Sequence, residues 1–485
     1  MADTAAFQAP KLGIGMIFST ALGPFLKRRP DALDVLEIEP QTLWLADDPF
    51  DGPYFEYSPA IQMFADLPQR KLVHSVGMPI GGTRKPHPAQ LALLQDVARR
   101  LDSPWVSEHL SVAGTPHKAA GFLLPPLQTD EGVAVVCDNI RRFAKGVGRP
   151  VAIETGVAYF ARKHFEMPDG EFVAQIVRQT GCGILLDLHN IYCNDRNGRI
   201  SMSDFLSQIP LDHVWEIHLA GGQEMDGYWL DSHSGTMPED LAAMSREIVQ
   251  SLPNLGALNF EVYDTFLERM PAEDLDRTVD ALREIWQQAG RSLSDAPPLR
   301  DVPDRPRPEP AQTPAEWEDG ATRAVWQDDP AQHPWPKDAP ALKLYARLAR
   351  SFRGSILVRA MPRTLRYLLL RDGESVDGLL SQFHTAEAPR LFAPLEAESF
   401  ADYLIRQGED DPWLLSLVSY DLAFMRIVRQ GKPQVVSFPG NPTPVFEALA
   451  IATMPDAFPG PPAWEIELLP DSFSPSDFTP GPRAS

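Results

Sequence analysis

Short, continuously apolar runs separated by longer segments with apolar residues at helical spacing set the rhythm of the chain up to about residue 264. The runs Leu12–Ile17, Ala32–Ile38, Lys71–Val76, Trp105–Glu108, Pro150–Glu154, Gly183–Asp187, Val214–His218 and Ala257–Glu261 read as strands. A strand covered on both faces is apolar throughout instead of alternating, which is the pattern of a parallel sheet wrapped by helices. Between the runs, Pro88–Arg100, Gly132–Ala144, Glu171–Thr180 and Leu241–Ser251 carry apolar residues three and four apart, as amphipathic helices do. Eight strand–helix units in about 250 residues predict an α/β fold of the (β/α)8 TIM-barrel type. A doubly wound sheet fits less well, because no glycine-rich fingerprint follows the first strand.

The pattern changes after Arg291. Eleven prolines in residues 292–340, with charged residues between them, predict a linker. Within it, Thr313–Gln327 has the composition either of a short helix docking through Trp317 and Trp326 or of a plain tether. From Ala341 to about Met454 helical spacing returns in ALKLYARLARSF, PRTLRYLLL, ESFADYLIRQ and PWLLSLVSYDLAFMRIV. The last is apolar nearly all round and is expected at the centre of a small bundle. Gln434–Phe438 is a short extended piece, and the tail beyond Pro470 is turn-rich. The expected organisation is a barrel domain over 1–291, a Pro-rich linker over 292–340, a mainly helical domain over 341–470 and a mobile tail over 471–485.

Barrel enzymes do their chemistry at the carboxyl ends of the strands. The third strand brings His74 there, the fourth Glu108 and His109, the fifth Glu154, and the sixth Asp187, His189 and Asn190. The seventh brings His218, the eighth Glu261, and the loop after the seventh adds Asp231 and His233. Any one of these histidines alone is more readily a satisfied structural group. Together they would crowd imidazoles and carboxylates into one mouth, where unpaired charge is costly. Bound metal resolves the conflict, and the donors are too many for one ion, since about four to six fill a first-row coordination sphere. Two or three ions with bridging carboxylates fit. Mixed nitrogen and oxygen donors without a thiolate cluster suit iron, manganese or zinc.

Composition narrows the partners. Asp and Glu number 66 against 44 Lys and Arg, a formal charge of -22, which disfavours nucleic acid and anionic membranes. Cys137, Cys182 and Cys193 show no metal or disulfide spacing and suit packed thiols in a reducing cytoplasm. Neither an export signal nor a run of about 18 apolar residues is present.

The motifs LGIGMIFS, LEIEP, HSVGMPIGG, VSEHLS, AIETG, GCGILLDLHNIYCN, IHLAGG, DSHSG and FEVYD occur in that order over about residues 11–290. In this the chain resembles the DUF692 family of multinuclear non-heme iron-dependent oxidative enzymes (MNIO), which includes the methanobactin-forming oxidase. The resemblance implies a barrel holding two or three irons, mixed Fe(II)/Fe(III), with O2 as co-substrate and a ribosomally made precursor peptide as substrate, oxidised at Cys, Asn or Asp. By motif it implies His74, His109, Glu154, Asp187, His218, Asp231, His233 and Glu261 as iron ligands, Asn190 as a further candidate, and His189 or Glu108 as the group that handles protons. The chain departs from the family pattern at His189, at Gly222 and at Thr155, where family members carry Asn, His and Asn. The C-terminal segments resemble, more loosely, helical partner proteins that recognise the precursor's leader, so residues 341–470 are expected to bind it. Two readings stand beside this one: a divalent-metal isomerase, epimerase or phosphodiesterase, and a metal- or peptide-binding protein without turnover.

Overall fold

The structure is a computed structural model that describes residues 7–290, 307–326 and 338–470. All eight apolar runs form strands: β1 Gly13–Ile17, β2 Val35–Ile38, β3 Arg70–Ser75, β4 Val106–His109, β5 Val151–Glu154, β6 Gly183–Asp187, β7 Val214–Ala220 and β8 Ala257–Glu261. They pair in sequence order, all parallel, and β8 returns to β1 with Gly13 opposite Ala257, closing an eight-stranded barrel. The fold is the expected (β/α)8 barrel, whose strands are buried on both faces, outward under helices and inward within the barrel.

Helices α1 Pro88–Arg100, α2 Asp130–Val147, α3 Asp169–Thr180, α4 Leu188–Arg196, α5 Glu239–Ile248 and α6 Ala272–Trp286 lie between or after the strands. Their ends follow local chemistry. The Thr129 hydroxyl caps α2 by accepting from Gly132 N–H, Asp130 and Glu131 sit in its first turn, and Gly148 closes it in the left-handed conformation at φ 64°. The apolar stripes of these helices join the outward strand residues in one large core, from Ile14 to Ile285.

Inside the barrel the side chains are layered. Val35, Leu72, Ala152, Leu185 and Ala257 form an apolar floor. Two residues further along the same strands, on the same inward face, stand Glu37, His74, Glu154, Asp187 and Asn259. Gly15 keeps this interior open, since a Cβ there would lie 2.3 Å from Asn259 Oδ1.

The stretch expected as a linker contributes α7, Pro314–Val325, which opens with a Thr313/Glu316 capping box. Trp317 is buried and donates through Nε1 to Pro125 O at 3.0 Å, and Trp326 donates to Ala120 O at 2.8 Å. The proline-rich stretches on either side, 291–306 and 327–337, and the tail 471–485 lie outside the described residues.

The C-terminal helices are α8 Ala339–Ala360, α9 Pro362–Ala386, α10 Ala393–Arg406 and α11 Pro412–Gln430. α11 lies centrally, packing against α9 and α10 through Leu414, Leu417 and Leu422. α9 runs past the expected PRTLRYLLL segment through a kink at Asp372, where backbone φ is -159°. Its second half is mostly exposed and includes Gly373 and Gly378, so helical spacing in the sequence was weak there. Gln434–Phe438 is extended as expected, and its antiparallel partner, Trp464–Leu468, was not foreseen because only Ile466 and Leu468 of its residues are covered, the others being exposed. No helix among the described residues is long and apolar enough to cross a membrane.

Arg353 on α8 ties three helices together. Its Nε lies 2.5 Å from Glu396 Oε1 on α10, and its Nη1 donates to His384 O and Glu387 O at the end of α9. Burial, with the Arg353 and Arg350 charges alongside, pulls the neighbouring His384 down to about 3 from an ordinary 6.5. The unfolded chain therefore binds the His384 proton more readily than the native one between those values. This contribution to stability is complete above pH 6.5 and declines as pH falls toward 3. In denaturant titrations from pH 7 to pH 4, His384→Phe is expected to show a shallower acid loss of the unfolding midpoint than wild type. Identical slopes would refute this account of His384.

Candidate metal centre

At the carboxyl end of the barrel the strands bring a set of imidazoles and carboxylates into contact. His74 Nε2 and His109 Nε2 lie 3.2 Å and 3.1 Å from the same atom, Glu154 Oε2. His218 Nδ1 lies 2.9 Å from Glu261 Oε1, and His233 Nε2 lies 3.1 Å from Glu261 Oε2 and 3.0 Å from Asp231 Oδ1. Asp187 lies among them, fully buried. β6 ends at Asp187, which is also the N-cap of α4: its Oδ1 accepts from Asn190 N–H at 2.8 Å. His189 and Asn190 thus stand on the first turn of a helix rather than on a strand end. No turn residue separates strand from helix because the carboxylate itself caps the helix.

Three overlapping groups have ligand atoms within 4.8 Å of one another: His74, His109 and Glu154; Glu154, Asp187 and His218; Asp187, His233 and Glu261. Glu154 and Asp187 each belong to two of them. Glu154 Oε2, Asp187 Oδ2, Asn190 Oδ1, His218 Nδ1 and His233 Nε2 are buried and lack a hydrogen-bond partner. The distances are short, but the lone pairs and N–H directions do not point along them. The orphaned atoms of Glu154, Asp187, His218 and His233 belong to the overlapping groups, and a buried orphan polar atom is costly unless something else satisfies it. The donor set and its orphaned atoms fit divalent cations.

Charge without a cation is shared unevenly. Burial opposes an imidazolium at His74, yet the adjacent Glu154 carboxylate, with the Glu37 charge, outweighs it and pushes the ring up to about 10. His109, His218 and His233 are raised in the same way, against burial, mainly by Glu154, by Glu261 with Glu37, and by Asp231 with Glu261. Burial also works against ionisation of Glu154, Asp231 and Glu261, but the imidazoles hold all three carboxyls below their ordinary range. Asp187 goes the other way, raised by burial and by the Asp231, Glu154 and Glu261 charges. Four acids packed this tightly do not all ionise in a protein-only site.

The two residues expected to handle protons are otherwise engaged. His189 Nδ1–H donates to Asp231 Oδ1 at 3.0 Å, and its Nε2 accepts from Trp229 Nε1 at 3.3 Å. Glu108 Oε1 accepts from His109 N–H, while Oε2 accepts from Ser75 Oγ at 2.6 Å and Met78 N–H at 3.0 Å. At Gly222 a Cβ would lie 2.7 Å from both His189 Nε2 and Trp229 Nε1, so these side chains fill the room a larger residue there would need.

A hydrogen-bonded set missed in the sequence lies beside and beneath these groups. Glu37 Oε2 accepts from His218 Nε2 at 2.8 Å, which leaves Nδ1 facing Glu261. Asn259 Nδ2 donates to Glu37 and to Glu216, and Trp105 Nε1 donates to Glu216 Oε2 at 2.8 Å. Glu37, Glu216 and His218 also lie close enough to hold an ion. Here His218 Nε2, Asn259 Nδ2 and Trp105 Nε1 already donate to Glu37 Oε2 and to both Glu216 oxygens, leaving Glu37 Oε1 without a partner, so this set orients His218. Burial and the Glu216 charge push Glu37 up to about 7. The signal was a polar residue inside an apolar strand, at two-residue spacing before a ligand candidate: Glu216 before His218, and Asn259 before Glu261.

Three comparisons bear on identity. The chain is 31% identical over 224 residues to a UPF0276 protein of Streptomyces avermitilis, covering 45% of this chain and 45% of that protein's length. It is 30% identical over 227 residues to a UPF0276 protein of Chromobacterium violaceum, covering 46% of this chain and 82% of that one. Among solved structures, D-allulose 3-epimerase from Methylomonas sp. aligns with a TM-score of 0.36 and 17% identity, over 59% of this chain and 97% of that one. The description "RiPP precursor modification enzyme MbnB/TglH/ChrH" matches residues 19–273, more than half of the chain. With the barrel and its converging histidines and carboxylates in place, the match shows that the chain belongs to the MbnB/TglH/ChrH family of RiPP precursor modification enzymes.

Proposed function

We propose that this protein is a cytoplasmic multinuclear non-heme iron enzyme that uses O2 to oxidise a Cys, Asn or Asp residue of a ribosomally synthesised precursor peptide. The observation that carries the reading is the set of orphaned buried ligand atoms on Glu154, Asp187, His218 and His233, which belong to overlapping groups of close-set donors, with Asn190 Oδ1 also orphaned. In this proposal His74, His109, Glu154, Asp187, His218, Asp231, His233 and Glu261 would hold two or three ions, with Glu154 and Asp187 each common to two groups of donors and Asn190 available as a further amide donor. Iron, when bound, supplies Lewis acidity and the one-electron chemistry that reaction with O2 requires.

The protein's own part is orientation. The Ser107 hydroxyl, 2.9 Å from His74 Nδ1, and Glu37, at His218 Nε2, each fix one ring nitrogen so that the other faces the ions. Glu108 and His189 are assigned the same kind of work, toward His109 and Asp231, because their polar atoms are committed to neighbours. The leader is assigned to residues 341–470, where the strand pair Gln434–Phe438/Trp464–Leu468 leaves Val435 and Trp464 uncovered and offers extended backbone beside which a peptide can add. Fusing this domain to the barrel raises the effective concentration of the bound peptide at the mouth.

Protein purified without added metal is expected to contain about two to three equivalents of iron and to consume O2 only when a candidate precursor peptide is present. Zinc as the resident ion with no uptake would overturn the reading in favour of an isomerase, epimerase or phosphodiesterase. Bound iron without peptide-dependent uptake would leave a binding protein.

Asp187→Asn keeps the shape of the side chain and removes one charge from a crowded acidic set. Its metal-free form is expected to melt within about 1 kcal/mol of wild type, while its iron content falls by at least one equivalent. His109→Ala is likewise expected to fold and to lose metal. Full occupancy in both variants would discard the ligand set.

A further inference from the structure

We propose that Tyr345, on the first helix of the C-terminal domain, is a positioning residue for the barrel loop that carries Asp231 and His233, so that the second domain completes the metal site. The inference rests on the metal reading for its consequence, though not for its geometry.

Two hydrogen bonds connect the domains to the site. The Tyr345 hydroxyl accepts from Tyr159 N–H at 3.1 Å, and the Tyr159 hydroxyl accepts from Asp231 N–H at 3.1 Å. Tyr159 follows β5 and Asp231 follows β7, so the path crosses the barrel mouth between two loops. Packing holds it in place. Phe160 stacks on Tyr345 with centroids 4.5 Å apart, and Tyr159 meets Tyr345 edge-on at 5.5 Å. Leu230, next to Asp231, is buried in the same cluster with Trp317 and Tyr345. Arg347 reaches Asp226 at 2.8 Å, but both side chains are exposed, so this pair contributes register more than energy.

The loop needs such support because its backbone is strained. Asp226 and His233 have φ of 53° and 45°, in the left-handed region that side chains other than glycine enter at a cost. Within the barrel, Asn197 grips Trp229 through both backbone groups, and Ser234 N–H is held by Gly221 O. Between those anchors, Asp231 N–H donates to the Tyr159 hydroxyl, whose own backbone is held by the second domain. Asp231 in turn lies against His189 Nδ1 and His233 Nε2. A shift at Tyr159 is therefore carried to three groups of the site. Leader recognition does not require a bond of this kind, so the second domain acquires a structural role in the centre itself.

The test uses the full chain with Tyr345→Phe and Tyr159→Phe, each deleting one hydroxyl from the path while keeping the ring. Tyr228→Phe, in the same aromatic cluster but off the path, is the comparator. Amide exchange over residues 222–236 of metal-free protein is expected to rise roughly fivefold in the two path variants, the effect of one lost hydrogen bond. Exchange in α1 and in the Tyr228→Phe variant should remain as in wild type. The Fe(II) dissociation constant, measured without oxygen, is expected to rise by a similar factor in both path variants. Unchanged exchange in both, or an equal effect of Tyr228→Phe, overturns the inference. If wild type binds no Fe(II), the proposed function fails, yet the exchange measurement still decides whether Tyr345 positions the loop.

Discussion

Crowding of like charge in a water-poor barrel mouth is the constraint on which the rest of the structure depends. Glu154, Asp187 and Glu261 are each at most 4% exposed, and their neighbours His74 and His218 are as deeply buried. Isolated charges at such depth would cost many kcal/mol, so groups there must be neutralised by one another, by protons or by cations. The protein-only arrangement uses the first two, with raised imidazoles beside lowered carboxyls and an acid form favoured at Asp187. A cation can replace those protons because deprotonated ligands are what metals select.

The barrel makes this crowding possible by spending its interior in layers. An apolar floor closes the far end, and above it the candidate ligands stand beside Glu37 and Asn259, which with Glu216 at the level of the floor form a hydrogen-bonded set. That set matters because imidazole has two nitrogens and only one can face an ion. Glu37 settles that choice for His218, as Ser107 does for His74. The same logic accounts for His189 and Glu108, whose atoms are taken up in holding Asp231 and His109 in place.

The second domain is joined to the barrel by more than a tether. α7 inserts Trp317 into the cluster that also holds Leu230, Tyr159 and Tyr345, and the hairpin residues Leu45 and Phe55, after β2, pack on the C-terminal bundle. Loops after β2, β5 and β7 thus meet the C-terminal region. A strained loop supported from outside the barrel can be specified by residues far away in the chain, which lets the site vary without altering the strands that build it.

Much of the architecture was legible without coordinates, because strand and helix are written in spacing: all eight runs became barrel strands, and the amphipathic segments between them became helices within a few residues of their expected ends, whereas two C-terminal helices ran well beyond theirs. The candidate ligands were legible for a related reason, since charged and imidazole groups at the end of an apolar run have few places to go. The sequence by itself therefore determined the barrel, the polar rim and the set of residues available to it. Tertiary structure alone decided which of those residues face the shared space and which are bound to neighbours, as Glu108 and His189 are. It also decided the roles of Glu37 and Tyr345, whose partners lie 181 and 186 residues away in the chain. Periodicity is a local property that a chain carries along its length, whereas a hydrogen bond across the barrel exists only once closure has set distance and angle.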